Sequence, residues 1–291
     1  MRKINILNSK IDVLKKDSFS KSILELLNGH GSSQVCKINT EFLVRANRSK
    51  DFLKTLNESR LCIPDGRGVL WAARYSTLPI SSNKLIRSVQ SVWQMFYSGI
   101  SIVFNPNFIT FPIPENIPGL DALKLMLMAA EETNSGVFFL GAAQNDLDKA
   151  IENIRKEMPK LNIAGSMNGY DFQTDKTFDP VAVINATEAK LLIVALGSPL
   201  QEFWIRDSLP KLKKIRVAVG EGGTLDRIAN PSQAAPSWVN RIGLEWLWRL
   251  FFNKSLTKNS GSRFKRVWNA VPVFVYEVVK WKIKNGAIEV E

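Results

Sequence analysis

At 291 residues the chain can hold one large α/β domain with an appendage or two small domains, and its 45% hydrophobic and 23% charged content argues against disorder. Two cysteines are too few for a disulfide framework, and no run reaches the roughly 18 uninterrupted apolar residues of a membrane span. Thirty-nine Lys and Arg against 27 Asp and Glu give a net charge of +12, which suits anionic partners: nucleic acid, acidic lipid or phosphorylated substrates.

Met1 to Lys16 is polar and basic and lacks the apolar stretch of a signal peptide, so a cytoplasmic protein, soluble or surface-bound, is expected. Val35 to Asn39 and Leu61 to Pro64 read as short strands, with a helix from Thr40 to about Asn47 between them. Cys36 and Cys62 fall in these segments as reduced, buried side chains. His30, the single histidine, sits in a Gly-Ser loop with no second ligand at a matching spacing, so no metal set is expected. Residues 76–118 break the rhythm with Ser, Asn and Pro, including Phe104-Asn105-Pro106-Asn107 and then Pro112, Pro114 and Pro118. They read as an insertion or lid over a crevice, or as a long surface connection.

Gly136 to Leu140 reads as a buried strand, and Asn145 to Met158 as a helix with Leu147, Ile151 and Ile154 on one face. Leu191 to Leu196 and Ile215 to Val219 are further β-branched runs, each ended by glycine. Strands alternating with helices predict a parallel, doubly wound sheet, with ligands bound at the carboxyl ends of its strands. After Trp246 the alternation stops. The chain thus divides into a core over 1–245 and a basic, aromatic, helical appendage over 246–291. From Arg241 to the end there are ten basic residues and four acidic ones, and five of the eight tryptophans fall in nearly the same stretch. Cations interleaved with Trp suit a bilayer interface, although single-stranded nucleic acid could use the same chemistry by stacking.

Four loops follow four of the strands. In Ile63-Pro64-Asp65-Gly66, Asp65 is either a turn former or a carboxylate able to accept a proton from an acceptor hydroxyl. Leu140-Gly141-Ala142-Ala143 lets main chain approach a phosphate at a helix N-terminus, but it lacks the G-x-G-x-x-G spacing of dinucleotide enzymes. In Leu196-Gly197-Ser198-Pro199-Leu200-Gln201-Glu202, Gln201 either caps a helix or reads a ligand edge such as a uracil. Val219-Gly220-Glu221-Gly222-Gly223-Thr224-Leu225-Asp226 suits a ribose and pyrophosphate, with Asp226 accepting from sugar hydroxyls, or a plain turn and cap.

These loops occur in order with Ile38-Asn39-Thr40-Glu41, Pro118-Gly119-Leu120-Asp121, Gly169-Tyr170, Ala235-Pro236 and Gly243-Leu244-Glu245-Trp246-Leu247-Trp248-Arg249. The ordered set, over about residues 35–266, resembles the WecG/TagA/CpsF family of bacterial glycosyltransferases. The resemblance implies a Rossmann-like core and a C-terminal appendage that meets the membrane and completes the active site. The implied activity is inverting and metal-independent, with no cofactor beyond the UDP-sugar donor. It moves N-acetylmannosamine, its uronate or glucose to a polyprenyl-diphosphate-linked acceptor for cell-surface polysaccharide. Catalysis of that kind needs a base for the attacking hydroxyl and cations or helix N-termini for the departing diphosphate.

By the same resemblance Asp65 is the catalytic base and Asn39 a neighbouring positioning residue. Gly141, Tyr170, Gln201 and Asp226 are nucleotide contacts, and Arg249, Arg263, Lys265 and Arg266 meet the acceptor diphosphate. The implied partners are the UDP-sugar, the lipid-linked acceptor and an anionic membrane surface on the inner face of the plasma membrane. Nucleic acid has no role, and a homo-oligomer stays open. Four positions depart from the family pattern: Lys37 where Thr is usual, Asn116 near an expected Arg, Asn230 for Gly, and Gln233 for the Arg of Arg-Ala-Pro. A member that has lost catalysis and docks in a polysaccharide assembly complex is the alternative these departures raise.

Overall fold

The computed structural model describes residues 2–169, 179–231 and 269–290. Its centre is a six-stranded, all-parallel sheet in the order β4-β3-β8-β7-β5-β6. The strands are β3 (Ser33–Ile38), β4 (Leu61–Pro64), β5 (Gly136–Gly141), β6 (Ile163–Met167), β7 (Ala189–Ala195) and β8 (Val217–Gly220). The runs expected at 35–39, 61–64, 136–140, 191–196 and 215–219 are thus strands, with ends shifted by at most two residues. Their side chains alternate between faces as period-2 geometry requires. Val137, Phe139, Leu191, Ile193, Val217 and Val219 enter one core, whereas Phe138, Leu140, Leu192, Val194 and Ala218 enter the other.

Helices cover both faces. One layer holds α1 (Lys16–Asn28), α6 (Gly119–Glu132), α7 (Gln144–Glu157) and α10 (Gly222–Ala229), all contributing to the first core. The opposite layer holds α2 (Thr40–Arg48), α3 (Lys50–Glu58), α4 (Arg67–Thr77), α8 (Pro180–Asn185) and α9 (Leu200–Ser208). Because α7 leaves β5 on one face and α9 leaves the adjacent β7 on the other, a crevice opens where these two strands end.

Two elements were not evident from sequence pattern. A short antiparallel hairpin, β1 (Lys3–Ile6) and β2 (Ser9–Asp12), lies against edge strand β4. The buried Asp12 carboxylate accepts from the Cys62 N–H at 2.7 Å, satisfying a main-chain donor that a sheet edge would leave open. The stretch read as an insertion or lid forms a 21-residue helix, α5 (Lys84–Phe104), followed by a 3₁₀ turn over Pro106–Ile109. It packs beside α4, where Trp71 Nε1 donates to Ser98 Oγ at 2.9 Å and the Tyr75 hydroxyl donates to the Ser91 carbonyl at 3.1 Å.

Cys36 and Cys62 are free and buried on neighbouring strands, and desolvation pushes the Cys62 thiol up to about 12. Of the expected appendage, the described part is a π-helical turn over Asn269–Val273 leading into α11 (Phe274–Asn285). Phe274 and Val278 are buried with α2 and α4, and Glu277 pairs with Arg48 at 2.7 Å. Lys282 is fully buried, with Nζ donating to the Tyr75 carbonyl and to Gln94 Oε1 and lying 4.3 Å from the centre of the Tyr75 ring.

Burial lowers the Lys282 amine from an ordinary 10.5 to about 7. The unfolded chain keeps this amine protonated up to about 10.5, so between about pH 7 and that value it binds one proton more than the folded protein. The stability contributed by the group therefore rises with pH across that window and is lowest below it. Urea unfolding at a series of pH values is expected to show this rise in the intact chain, and Lys282→Met is expected to flatten it.

Candidate active site

Five helices, α2, α4, α7, α9 and α10, begin where β3, β4, β5, β7 and β8 end, so their N-terminal N–H groups gather along one edge of the sheet. Such an edge favours anions. On the β5/β7 side, among the described residues, close approaches of main chain shape the edge. Gly141 has φ +111, and a Cβ there would lie 2.5 Å from the Ala195 carbonyl. Ala142 N–H donates to that same carbonyl at 2.9 Å, and Gly169 N–H donates to Ala142 at 3.0 Å. Gly197 has φ +81, and a Cβ on Gly222 would lie 3.2 Å from its Cα. Only glycine permits loops to approach this closely.

Gln201 builds this floor from beneath. Its side chain is buried, with Oε1 accepting from Gly197 N–H at 3.1 Å and Nε2 donating to Glu202 at 2.6 Å. Gly220 is needed above it, since a Cβ there would lie 2.4 Å from Gln201 Nε2. The structure directs this amide at the protein, where the sequence left open a helix cap or a reader of a ligand edge. Asp226 is half-buried on α10 next to Asp146 of α7, and burial first, then the Asp146 charge, raises its carboxyl above the usual range. Asn230 donates to Asp146 at 3.3 Å and fastens α10 to α7.

On the β3/β4/β8 side the edge is densely charged. Asp65 N–H donates to the Ile38 carbonyl at 2.8 Å, and Ile117 N–H donates to the Pro64 carbonyl at 3.0 Å. Gly66, at φ +104, donates its N–H to Asn116 Oδ1 at 2.6 Å. Asn116 therefore holds the turn that presents Asp65. Asn39 caps α2, its Oδ1 accepting from Phe42 N–H at 2.9 Å.

Sequence reasoning gave no role to Glu221. It is buried at the end of β8, where Lys37 of β3 pairs with its Oε2, and Lys37 also donates to Thr224 Oγ1 at 3.3 Å. Burial raises the Glu221 carboxyl, Lys37 opposes that, and the Asp65 charge adds to it. Its Oε1 has no hydrogen-bond partner among the described residues. Three side chains converge on Gly119, the first residue of α6. A Cβ there would lie 2.9 Å from Lys37 Nζ, 3.4 Å from Thr224 Oγ1 and 3.7 Å from Asp65 Oδ2. The available signal was a lysine inside a central parallel strand, a place where charge is rarely tolerated unpaired.

The structure therefore brings Asp65 together with Lys37, Glu221 and Thr224, and places Gly141 and Asp226 on the glycine-floored side. Asn39 stands at the head of α2, next to the Asp65 turn. Tyr170, Arg249, Arg263, Lys265 and Arg266 lie outside the described residues, as does Gln233. Among the described residues no group of three metal-ligating side chains comes together.

The described geometry thus sets a buried carboxylate–ammonium pair beside close-packed glycine loops at a strand-end crevice. The family model described as "Glycosyl transferase WecG/TagA/CpsF family" matches residues 4–84 and 80–287. The chain belongs to this family. It is similar to an N-acetylglucosaminyldiphosphoundecaprenol N-acetyl-beta-D-mannosaminyltransferase of Bacillus spizizenii, with 33% identity over 62% of this chain and 66% of the relative. Proteins of the same name from Bacillus subtilis and Staphylococcus aureus are 26% and 22% identical. They align over 94% and 95% of this chain, and over 86% and 94% of their own lengths. The chain is thus a glycosyltransferase on a doubly wound, parallel α/β fold.

Removing one member of a buried ion pair strands the other, at about 3–5 kcal/mol. Lys37→Ala is therefore expected to lower unfolding free energy by about that much, and Lys37→Ala/Glu221→Gln to recover a large part of the loss. Urea unfolding of the two single variants and the double variant at neutral pH checks the coupling.

Proposed function

We propose that this chain transfers an N-acetylmannosamine-type sugar from a UDP-sugar to a polyprenyl-diphosphate-linked acceptor, with inversion and with Asp65 as the base. The observation that carries the reading is the convergence of Asp65, Lys37 and Thr224 on Gly119, beside the main-chain floor at the ends of β5 and β7. The relatives named above, which act on an undecaprenyl-diphosphate-linked acceptor, support the acceptor class. UDP is the donor nucleotide the family resemblance implies, and glucose or the uronate are the other sugars it allows.

In the proposed reaction the acceptor hydroxyl gives its proton to Asp65 as its oxygen attacks the anomeric carbon. The bond from that carbon to the diphosphate oxygen breaks, and UDP departs with the electron pair. The diphosphate lies over Gly141 and Gly197, where N–H groups at the starts of α7 and α9 meet the developing charge. Asp226 accepts from ribose hydroxyls, Gln201 keeps the Gly197 loop in place, and Asn39 positions the acceptor sugar through the head of α2. Tyr170 completes the nucleotide site. Arg249, Arg263, Lys265 and Arg266 hold the acceptor diphosphate, and the protein works peripherally on the inner face of the plasma membrane. No described helix is long and apolar enough to cross a membrane.

Asp65→Asn is expected to reduce turnover on the order of a thousandfold while leaving the affinity for UDP within about twofold of the intact chain. Single-turnover assays with UDP-N-acetylmannosamine and a lipid-linked N-acetylglucosamine acceptor, paired with calorimetric titration of UDP, read both quantities. Repeating turnover in a chelator tests the metal independence that the resemblance implies. Undiminished turnover in the variant would remove Asp65 as the base, and failure of the intact chain to bind UDP would remove the donor assignment.

A further inference from the structure

Helix α5 turns its largest apolar side chains outward. Its inward face is mixed: Ser91, Ser98 and Ser101 are buried against the fold, and Met95 and Ile102 pack on the core beside them. Its outward face carries Leu85, Val89, Trp93, Phe96, Ile100 and Phe104, spaced three or four residues apart and between 59% and 83% exposed. A surface helix of a soluble domain normally has the reverse polarity, and a continuous apolar patch of this kind marks an interaction surface.

The helix cannot relieve this by rolling over. Ser98 and Ser91 are tied to Trp71 and Tyr75 of α4, and Gln94 Oε1 accepts from Lys282 of α11 at 2.6 Å. The Arg87 guanidinium donates to the Ile283 carbonyl of α11 at 3.2 Å and to the Ser81 carbonyl at 2.9 Å. A rotation that buried Trp93 and Phe96 would break these bonds and strand the groups that make them. The fold therefore fixes the apolar face outward.

Charge selects what covers it. From Gly66 to Pro114 the chain contains no aspartate or glutamate. Lys84 at the start of α5 is exposed, and so are Lys280 and Lys284 of the adjoining α11, beside the exposed Tyr276. A second copy docked symmetrically on this face would bring lysine towards lysine with no carboxylate from this stretch to meet it. An anionic bilayer supplies the missing charge, and Trp93 and Tyr97 suit its headgroup level. At 21 residues the helix is about 30 Å long. With its polar side committed to protein it can lie along a bilayer but not cross one.

We infer that the outward face of α5, with Lys84 at its start and Lys280 and Lys284 exposed on the adjoining α11, seats the protein on an anionic lipid surface, an inference that rests on the lipid-linked acceptor proposed above. The apolar face itself belongs to the core over 1–245, whereas the sequence assigns membrane contact to the appendage over 246–291, from which Lys280 and Lys284 come.

The full chain, Trp93→Glu/Phe96→Glu and, as a milder pair, Val89→Ser/Ile100→Ser are compared by cosedimentation with phosphatidylcholine vesicles, with and without phosphatidylglycerol. Light scattering gives the mass of each in solution. The full chain is expected to bind the anionic vesicles, and the first pair to weaken that binding about tenfold or more, with the milder pair in between. Turnover on a short, water-soluble acceptor should match in all three, and turnover on a vesicle-embedded acceptor should follow the binding. Vesicle affinity unchanged in both pairs overturns the inference. So does a dimer that both pairs convert to monomers, which would give the face to a second copy. A full chain that ignores both kinds of vesicle yet turns over the soluble acceptor overturns the surface and leaves the proposed function standing. Conversely, α5-dependent vesicle binding without UDP binding or turnover would remove the function and keep the surface.

Discussion

The buried pair of Lys37 and Glu221 is the contact on which the charged half of the site depends. It joins β3, whose end leads to Asn39, to the head of α10, which carries Thr224 towards Lys37 and Asp226 towards Asp146. Two ions in the interior of a sheet cost several kcal/mol of hydration each, and such a pair persists only where each is held by the other and by further polar groups. Here Thr224 supplies part of that support, and the absence of a side chain on Gly119 leaves the room. The result is a fixed positive group a few ångströms from Asp65, set by strand geometry rather than by a mobile loop.

The other half of the site rests on a different device. Where β5, β7 and β8 end, glycines at 141, 197, 220 and 222 let three loops close to backbone contact, and Gln201 braces them from within the core. Both halves share the sheet edge because α7 and α9 leave neighbouring strands on opposite faces. Under the proposed function the reacting groups of donor and acceptor meet along this edge.

Much of this was legible in the sequence because the informative segments are short apolar runs ended by glycine or proline. Val35 to Ile38, Leu61 to Pro64 and Leu191 to Ala195 are buried on both sides, and such runs announce a parallel strand without further context. Asp65 and the glycine loops could be placed at strand ends for the same reason. The hairpin at Lys3 to Asp12 was hidden because its alternation is interrupted by Asn8 and Ser9 and its worth lies in a tertiary bond, Asp12 to the edge of β4. Helix α5 was hidden because Ser, Asn and Pro at its margins advertise a loop, while its serines face inward against the usual logic of an amphipathic helix. Lys37 stood out only as an oddity. Its meaning required Glu221, which is 184 positions away in sequence.

Under the proposed function, a floor made of main chain has an evolutionary consequence. Side chains can be exchanged one mutation at a time, but main chain keeps the same shape whatever residue carries it, and glycines such as Gly141 and Gly220 leave no room for a Cβ. Under the proposed function, the part of the ligand that rests on this floor is therefore held constant while lineages diverge. Novelty in what is transferred, and to what, has to arise from groups overhanging the floor, such as those around Asn116 and Lys37.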